Sequence, residues 1–254
     1  MTRRWESLFW PLFAMAAFLS LWHAGVIWSQ TRVFPAPLDV ALGLRELLRR
    51  GVLWGYIGDS LFRVATGYSL AITLGIPTGL ILGWYPNSAT AMNPVIQILR
   101  PISPLAWIPL SIVWFGIGNT AAIFLIFLAS FFPVVVATVN GVRNVPPMFR
   151  NAGQNFGLSP AALLRRVIFP AALPQVLVGL RIALGIAWLV VVAAEMIAVD
   201  SGLGYLIIDS RNAGKRYDLV IAGMLLIGLI GLALDIGIRR MELWKSVRWG
   251  FSNE

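Results

Sequence analysis

The chain has 254 residues, of which 58% are hydrophobic and only 12% charged, and its mean hydropathy is +0.79. An ordinary globular domain carries roughly 25% charged residues, so this composition excludes a soluble protein and indicates an integral membrane one. The absence of cysteine and the single histidine, His23, remove disulfides, thiolate nucleophiles, iron–sulfur clusters, Cys- or His-clustered metal sites and a His-based catalytic triad.

Taken in chain order, apolar stretches run over residues 8–28, 61–82, 94–117, 120–139, 173–199 and 219–238. Each has about the 20 residues that cross a bilayer as a helix, which predicts an all-α polytopic protein of about six spans. Arg3 and Arg4 precede the first run, but that run is too long for a signal core and lacks a small-x-small cleavage site before its end. It reads as a retained anchor in which His23 is packed.

Between the first and second runs, Asp39 to Arg50 places Val40, Leu44, Leu47 and Leu48 on one helical face and Arg45 and Arg49 on another. That pattern predicts a short interfacial helix. The second run carries Arg63 near its beginning, where a long side chain can snorkel to the membrane boundary. In the third run Pro94, Pro101, Pro104 and Pro109 each remove a backbone donor. The span must be kinked or broken, and freed carbonyls are tolerated only against protein or a wet cavity. Arg100 and Ser103 lie at that break. They are candidates for a solute pathway, although pairing of Arg100 with Glu195, or capping of the freed carbonyls, is the preferred reading.

Residues 143–172 form a long loop rich in turn signals. Asn151 to Phe156 can be a short helix ended by Gly157 in a left-handed cap, and Ser159 with Pro160 is an N-cap and first-turn pair opening a second helix. Two short helices joined by a tight turn make a compact knob; by physics alone, an ordinary interfacial loop is an equal reading. In the fifth run Arg181 and Glu195 are separated by ~21 Å of rise and stand within about 40° of one face on a regular helix. The same stripe carries Gly179, Ala183 and Ala187, small residues that let helices approach closely, and is read as facing a dimer core or pathway. Residues 200–217 read as a polar loop containing Ser201-Gly202-Leu203-Gly204-Tyr205. In the last run Asp235 has Arg239 one turn on, a favourable helical pair.

Six spans put both termini on one side. With that side cytoplasmic, Arg3, Arg4, Arg143, Arg150, Arg165, Arg166, Arg239, Arg240, Lys245 and Arg248 lie inside, against Arg32, Arg45, Arg49, Arg50, Arg211, Lys215 and Arg216 outside. The positive-inside rule favours this orientation modestly. The net charge of +9 therefore flanks apolar runs and implies no nucleic-acid partner. The two lysines, Lys215 and Lys245, close no Gly-x-x-x-x-Gly-Lys phosphate loop, so the chain cannot bind ATP in that way. No repeat or soluble domain interrupts residues 1–254, which read as one membrane domain with no cofactor.

The knob resembles the signature of the membrane-spanning subunit of binding-protein-dependent ABC importers: Glu-Ala-Ala, three residues, Gly, nine residues, Ile-x-Leu-Pro. Ala152, Gly157 and Pro170 match outright, while Asn151, Gly153, Val167 and Phe169 stand for Glu, the second Ala, Ile and Leu. Leu99 to Ala106, Trp114 to Gly118, Gly179 to Gly185 and Ser201 to Tyr205 are similar to the nitrate/sulfonate/taurine/bicarbonate branch of these permeases. The resemblance implies a type I ABC importer permease fold in the cytoplasmic (inner) membrane. It also implies a homodimer, a pair of cytoplasmic ATP-binding subunits and an extracytoplasmic substrate-binding protein. Asn151, Ala152, Gly153, Gln154, Asn155, Phe156, Gly157, Leu158, Ser159 and Pro170 are then the ATPase-coupling residues. Arg100, Ser103, Arg181 and Glu195 are candidates for the pathway or an intramembrane network. The implied solute is a small oxyanion or sulfonate; a neutral or cationic solute such as a thiamine-precursor pyrimidine is the alternative within the fold. An intramembrane enzyme is disfavoured by the missing nucleophile–base pair.

Overall fold

The computed structural model describes residues 2–29 and 33–242. Among these the regular structure is entirely helical: α1 (Thr2–Ser29), α2 (Pro37–Arg50), α3 (Val52–Trp84), α4 (Pro86–Leu99), α5 (Ile108–Phe115), α6 (Asn119–Arg143), α7 (Pro147–Asn155), α8 (Pro160–Leu163), α9 (Phe169–Glu195), α10 (Leu203–Gly214) and α11 (Tyr217–Glu242). Five stretches are long and apolar enough to cross a membrane: Phe9–Ser29, Val52–Trp84, Asn119–Arg143, Pro160–Glu195 and Tyr217–Arg240. The sixth expected span exists only as a bent pair. Pro86–Leu99 and Pro104–Phe115 meet at 81°, with Arg100 to Ser103 at the corner, as the prolines required.

α6 occupies the centre, packed along α3 on one side and α9 on the other. Lipid tails are as apolar as leucine, so helices in a bilayer associate by close contact and not by escape from water. The sequence supplies that contact with small residues at every fourth position of α3: Gly67, Ala71, Gly75, Gly79 and Gly83. A β-carbon added at Gly79 stands 2.5 Å from Thr138 Cβ, and one at Gly83 stands 2.7 Å from Val142 Cβ. On the other side a β-carbon at Gly179 overlaps that of Ala137 outright. The Gly179 stripe therefore packs on α6 of the same chain, which corrects its assignment to a dimer core or pathway. Buried hydroxyls in this apolar centre bond within their own helices: Ser130 and Thr138 each donate to the carbonyl one turn back, at 2.9 and 2.8 Å.

Several other expectations change. The interfacial helix α2 forms, with Val40, Gly43 and Leu47 buried, but Leu48 is exposed. Gly51, at φ 71°, is all that separates α2 from α3, so the second span starts at Val52 and not at residue 61. Residues 203–214 are the helix α10, with Leu203 and Leu206 buried, where a polar loop was expected. Arg216 bridges Glu46 on α2 and Asp218 on α11, both at 2.6–2.7 Å. Its hydrogen bond holds the Glu46 carboxyl below the usual carboxylate range. His23 is exposed on α1 instead of packed. Arg32, Lys245 and Arg248, part of the charge-asymmetry argument, lie outside the described residues.

Candidate functional site

The knob is built from α7 and the turn after it. Gly157 takes φ +69°. Its N–H donates to Gln154 O at 2.9 Å, and the N–H of Leu158 donates to Gly153 O at 3.1 Å, which is the paired bonding of a Schellman cap. Ser159 Oγ accepts from Ala162 N at 3.4 Å and caps the next helix. Gly153 is buried against the Leu163 side chain. Below it, Val142, Val145, Leu163, Ile168 and Ala172 form a small apolar cluster. The turn is thus pinned from beneath, while Asn151, Ala152, Gln154, Asn155, Phe156 and Ser159 face outward, Phe156 at 86% exposure. Arg150 lies over the Trp84 ring, 5.2 Å from its centre, and ties the knob to the end of α3.

The second helical piece is not separate, as the sequence suggested. α8 continues through a wide π turn at Leu164–Ile168 into α9. Pro170 explains the wide turn: it cannot donate to Arg166 O, and its ring crowds that carbonyl. The knob therefore sits directly on a 36-residue helix, Pro160–Glu195.

At the opposite end of that helix lies a fully buried ion pair: the sequence allows Glu195 a basic partner elsewhere or a pathway role, but does not name Arg63 as that partner. Arg63 Nη1 donates to Glu195 Oε1 at 2.7 Å, with the two side chains 2% and 0% exposed. The rest of the guanidinium is consumed by Asn119 Oδ1 at 2.8 Å, Ser201 O at 2.8 Å and Ser201 Oγ. Glu195 Oε2 accepts from Ser60 Oγ and from Gly204 N, both at 2.9 Å, and Ser60 Oγ accepts from Leu203 N at 3.0 Å. The Ser201 to Tyr205 segment thereby wraps the N-terminus of α10 around a carboxylate, where the helix dipole favours negative charge. Gly202, at φ +101°, lies flat on the carboxylate, and any β-carbon there collides with it. Arg63 does not snorkel, and Glu195 is not the partner of Arg100. The available signal was depth: Arg63 near the start of one span and Glu195 near the end of another, antiparallel one occupy the same level.

Arg181 and Glu195, on one helix, engage different partners: Glu195 meets Arg63 of α3, and Arg181 turns to α11. Arg181 donates to both oxygens of Asp235 on α11, at 2.6 and 2.9 Å, so Asp235 is engaged across helices as well as lying near Arg239. Arg100 and Ser103 remain at the corner of the broken span, both exposed. Arg100 borders two cavities of about 720 and 530 Å³; Ser103 lines the second. Asn140 faces both, Arg143 and Asn93 the first, Gln175 the second, and among the described residues no aspartate or glutamate lines either.

Residues 75–244 match the family model described as the binding-protein-dependent transport system inner membrane component. The chain belongs to this permease family. The matched region takes in the broken span, the knob and Glu195, but not Arg63. The permease is 41% identical to the taurine transport system permease of Escherichia coli over 75% of this chain and 69% of that one. It is 34% identical to the bicarbonate transport system permease of Synechococcus elongatus over 94% and 90%. Its fold matches a chain of an inward-facing methionine ABC transporter with a TM-score of 0.66 at 19% identity, covering 76% of the permease and 95% of that chain. The fold is that of a type I ABC importer permease.

Proposed function

We propose that this permease carries a small oxyanion or sulfonate inward across the cytoplasmic membrane, as a homodimer driven by two separate ATP-binding subunits and fed by a substrate-binding protein. The observation that carries the coupling role is the knob itself: a rigidly capped turn, seated on a transmembrane helix, that presents Phe156 with exposed carboxamides around it. Seated in a groove of an ATPase, Asn151 to Ser159 transmits closure of the ATPase pair to α9 as a rigid-body switch between outward and inward access. Asn151 contributes a neutral hydrogen bond where relatives of this signature have a charge. Pro170 holds the π turn through which the knob joins the span. The whole chain acts as one membrane unit with both termini cytoplasmic. The anionic solute is supported by the relatives named for taurine and bicarbonate and by the acid-free lining of the cavities at Arg100.

Two measurements test this reading. The chain contains no cysteine, so the variant Ser159→Cys carries one thiol. It is expected to react with an impermeant thiol reagent only from the cytoplasmic side, and more slowly with the ATPase bound; labelling from outside ends the proposal. Second, the permease assembled in nanodiscs with its ATPase and binding protein is expected to raise ATP turnover with one of taurine, ethanesulfonate, nitrate or bicarbonate. Stimulation by a pyrimidine alone overturns the solute class and leaves the permease assignment standing.

A further inference from the structure

Arg63, deep in the helix packing, is neutralised by Glu195, and the half-buried Arg181 of the fifth span by Asp235. Arg100 is the exception. Among the described residues its guanidinium has neither a hydrogen-bond nor an ion-pair partner, although it stands at the break of a span, where an unpaired charge is costly. The prolines on either side fix the corner that holds it there, and α4 leading to it has no buried residue.

The surroundings vary with depth. Toward the knob end of the bundle the larger cavity is the more polar of the two, with Thr90, Asn93, Gln97, Asn140 and Arg143 set among Leu82, Ile96 and the valines of α6. Beyond Arg100 the second cavity becomes more apolar, with Leu128, Phe132, Ile182 and Ile186 beside Ser103 and Gln175. Arg100 and Asn140, which line both, therefore sit where the more polar cavity meets the more apolar one. A cation there has no carboxylate to receive it. An anion that has shed part of its water meets one guanidinium, neighbouring carboxamides, and Arg143 further toward the knob end. Long-range attraction in a low-dielectric wall focuses such charge.

We propose that this junction is the anion-selecting point of the passage: Arg100 receives the desolvated anion by a charge-assisted hydrogen bond, with Asn140 beside it, and Arg143 draws the anion onward into the more polar cavity. This rests on the transport reading above and deepens it, since it names the residue that makes the passage discriminate by charge and not only by the delivery of a binding protein.

The test separates this inference from the reading beneath it. Asn140→Cys places a single thiol at the junction of the complete complex. Its modification by the anionic 2-sulfonatoethyl and the cationic 2-(trimethylammonio)ethyl methanethiosulfonates is followed by the mass of the permease. With Arg100 present the anionic reagent reacts preferentially. Adding Arg100→Gln is expected to lower the anionic-to-cationic rate ratio about ten-fold, the size of effect a single nearby charge exerts at intermediate dielectric, and Arg100→Lys restores it. An unchanged ratio overturns the assignment whatever the solute. In proteoliposomes, Arg100→Gln is expected to reduce ethanesulfonate uptake at least about ten-fold, with Arg100→Lys recovering most of it. A shifted ratio with unchanged uptake overturns the role in passage. A wild-type complex that takes up no anion fails the solute reading, while the thiol ratio still reads the charge at the junction.

Discussion

Glu195→Ala is expected to destabilise the folded permease severely. Removing the carboxylate leaves Arg63 buried at 1% exposure with its charge uncompensated, and strands Ser60 and the Gly204 N–H. Breaking a buried pair from one side costs about 3–5 kcal/mol, a large part of a total stability of about 5–15 kcal/mol. Neutral hydrogen bonds between membrane helices average only about 0.6 kcal/mol, so the buried charge decides the outcome. Arg63→Met in the Glu195→Leu background is therefore expected to recover much of what either single change loses, because no lone charge remains. Unfolding followed by tryptophan fluorescence reads this directly, since the chain has 11 tryptophans. The single variant should melt about 10 °C or more below wild type; an unchanged midpoint shows that the pair does not hold the bundle together.

The second large effect lies in the small-residue seam around α6. Gly179→Ala puts a methyl into the space of the Ala137 β-carbon, and α9 must move off α6 to admit it. Overpacking of this kind costs about 1–3 kcal/mol. The expected signature is a swap: Ala137→Gly combined with Gly179→Ala returns the melting midpoint toward wild type, because the total volume at the crossing is restored. Gly228→Ala on α11 is the control. A β-carbon there has nothing within 4 Å, and alanine is the better helix former by about 1 kcal/mol, so its midpoint should stay level or rise. A midpoint for Gly179→Ala equal to that of Gly228→Ala would refute close helix contact as the organising force of this bundle.

How far the sequence reaches can be seen at individual residues. Hydropathy located the spans because a bilayer imposes length, and the prolines around Arg100 predicted a break because a missing N–H is a local fact. Gly157 and Ser159 were legible for the same reason, since caps are set by residues a few positions apart. Most of the failures concern partners distant in the chain. Asp235 had an adequate neighbour in Arg239, and nothing local revealed that Arg181, 54 residues earlier, takes both its oxygens. Arg63 looked like a boundary residue because its four acceptors come from α6, α9 and the segment before α10. The Gly179 stripe was visible as a pattern, but a pattern of small residues does not say which helix fills it. The second half of the knob was misread as a separate short helix opened by Ser159 and Pro160, whereas a π turn at Leu164–Ile168 lets that helix pass into the span.

The enclosure of Glu195 has a kinetic consequence. Its carboxylate is fully covered, and each oxygen is engaged by donors from other elements, so exchanging any of them passes through a dry intermediate with an unmatched charge. Such an intermediate is a high barrier, and the junction of α3, α9 and α10 is accordingly a part with one setting. A transporter needs at least two. The second setting has to come from elements that can change neighbours cheaply, and α4, which buries no residue and runs to cavities at Arg100, meets that condition.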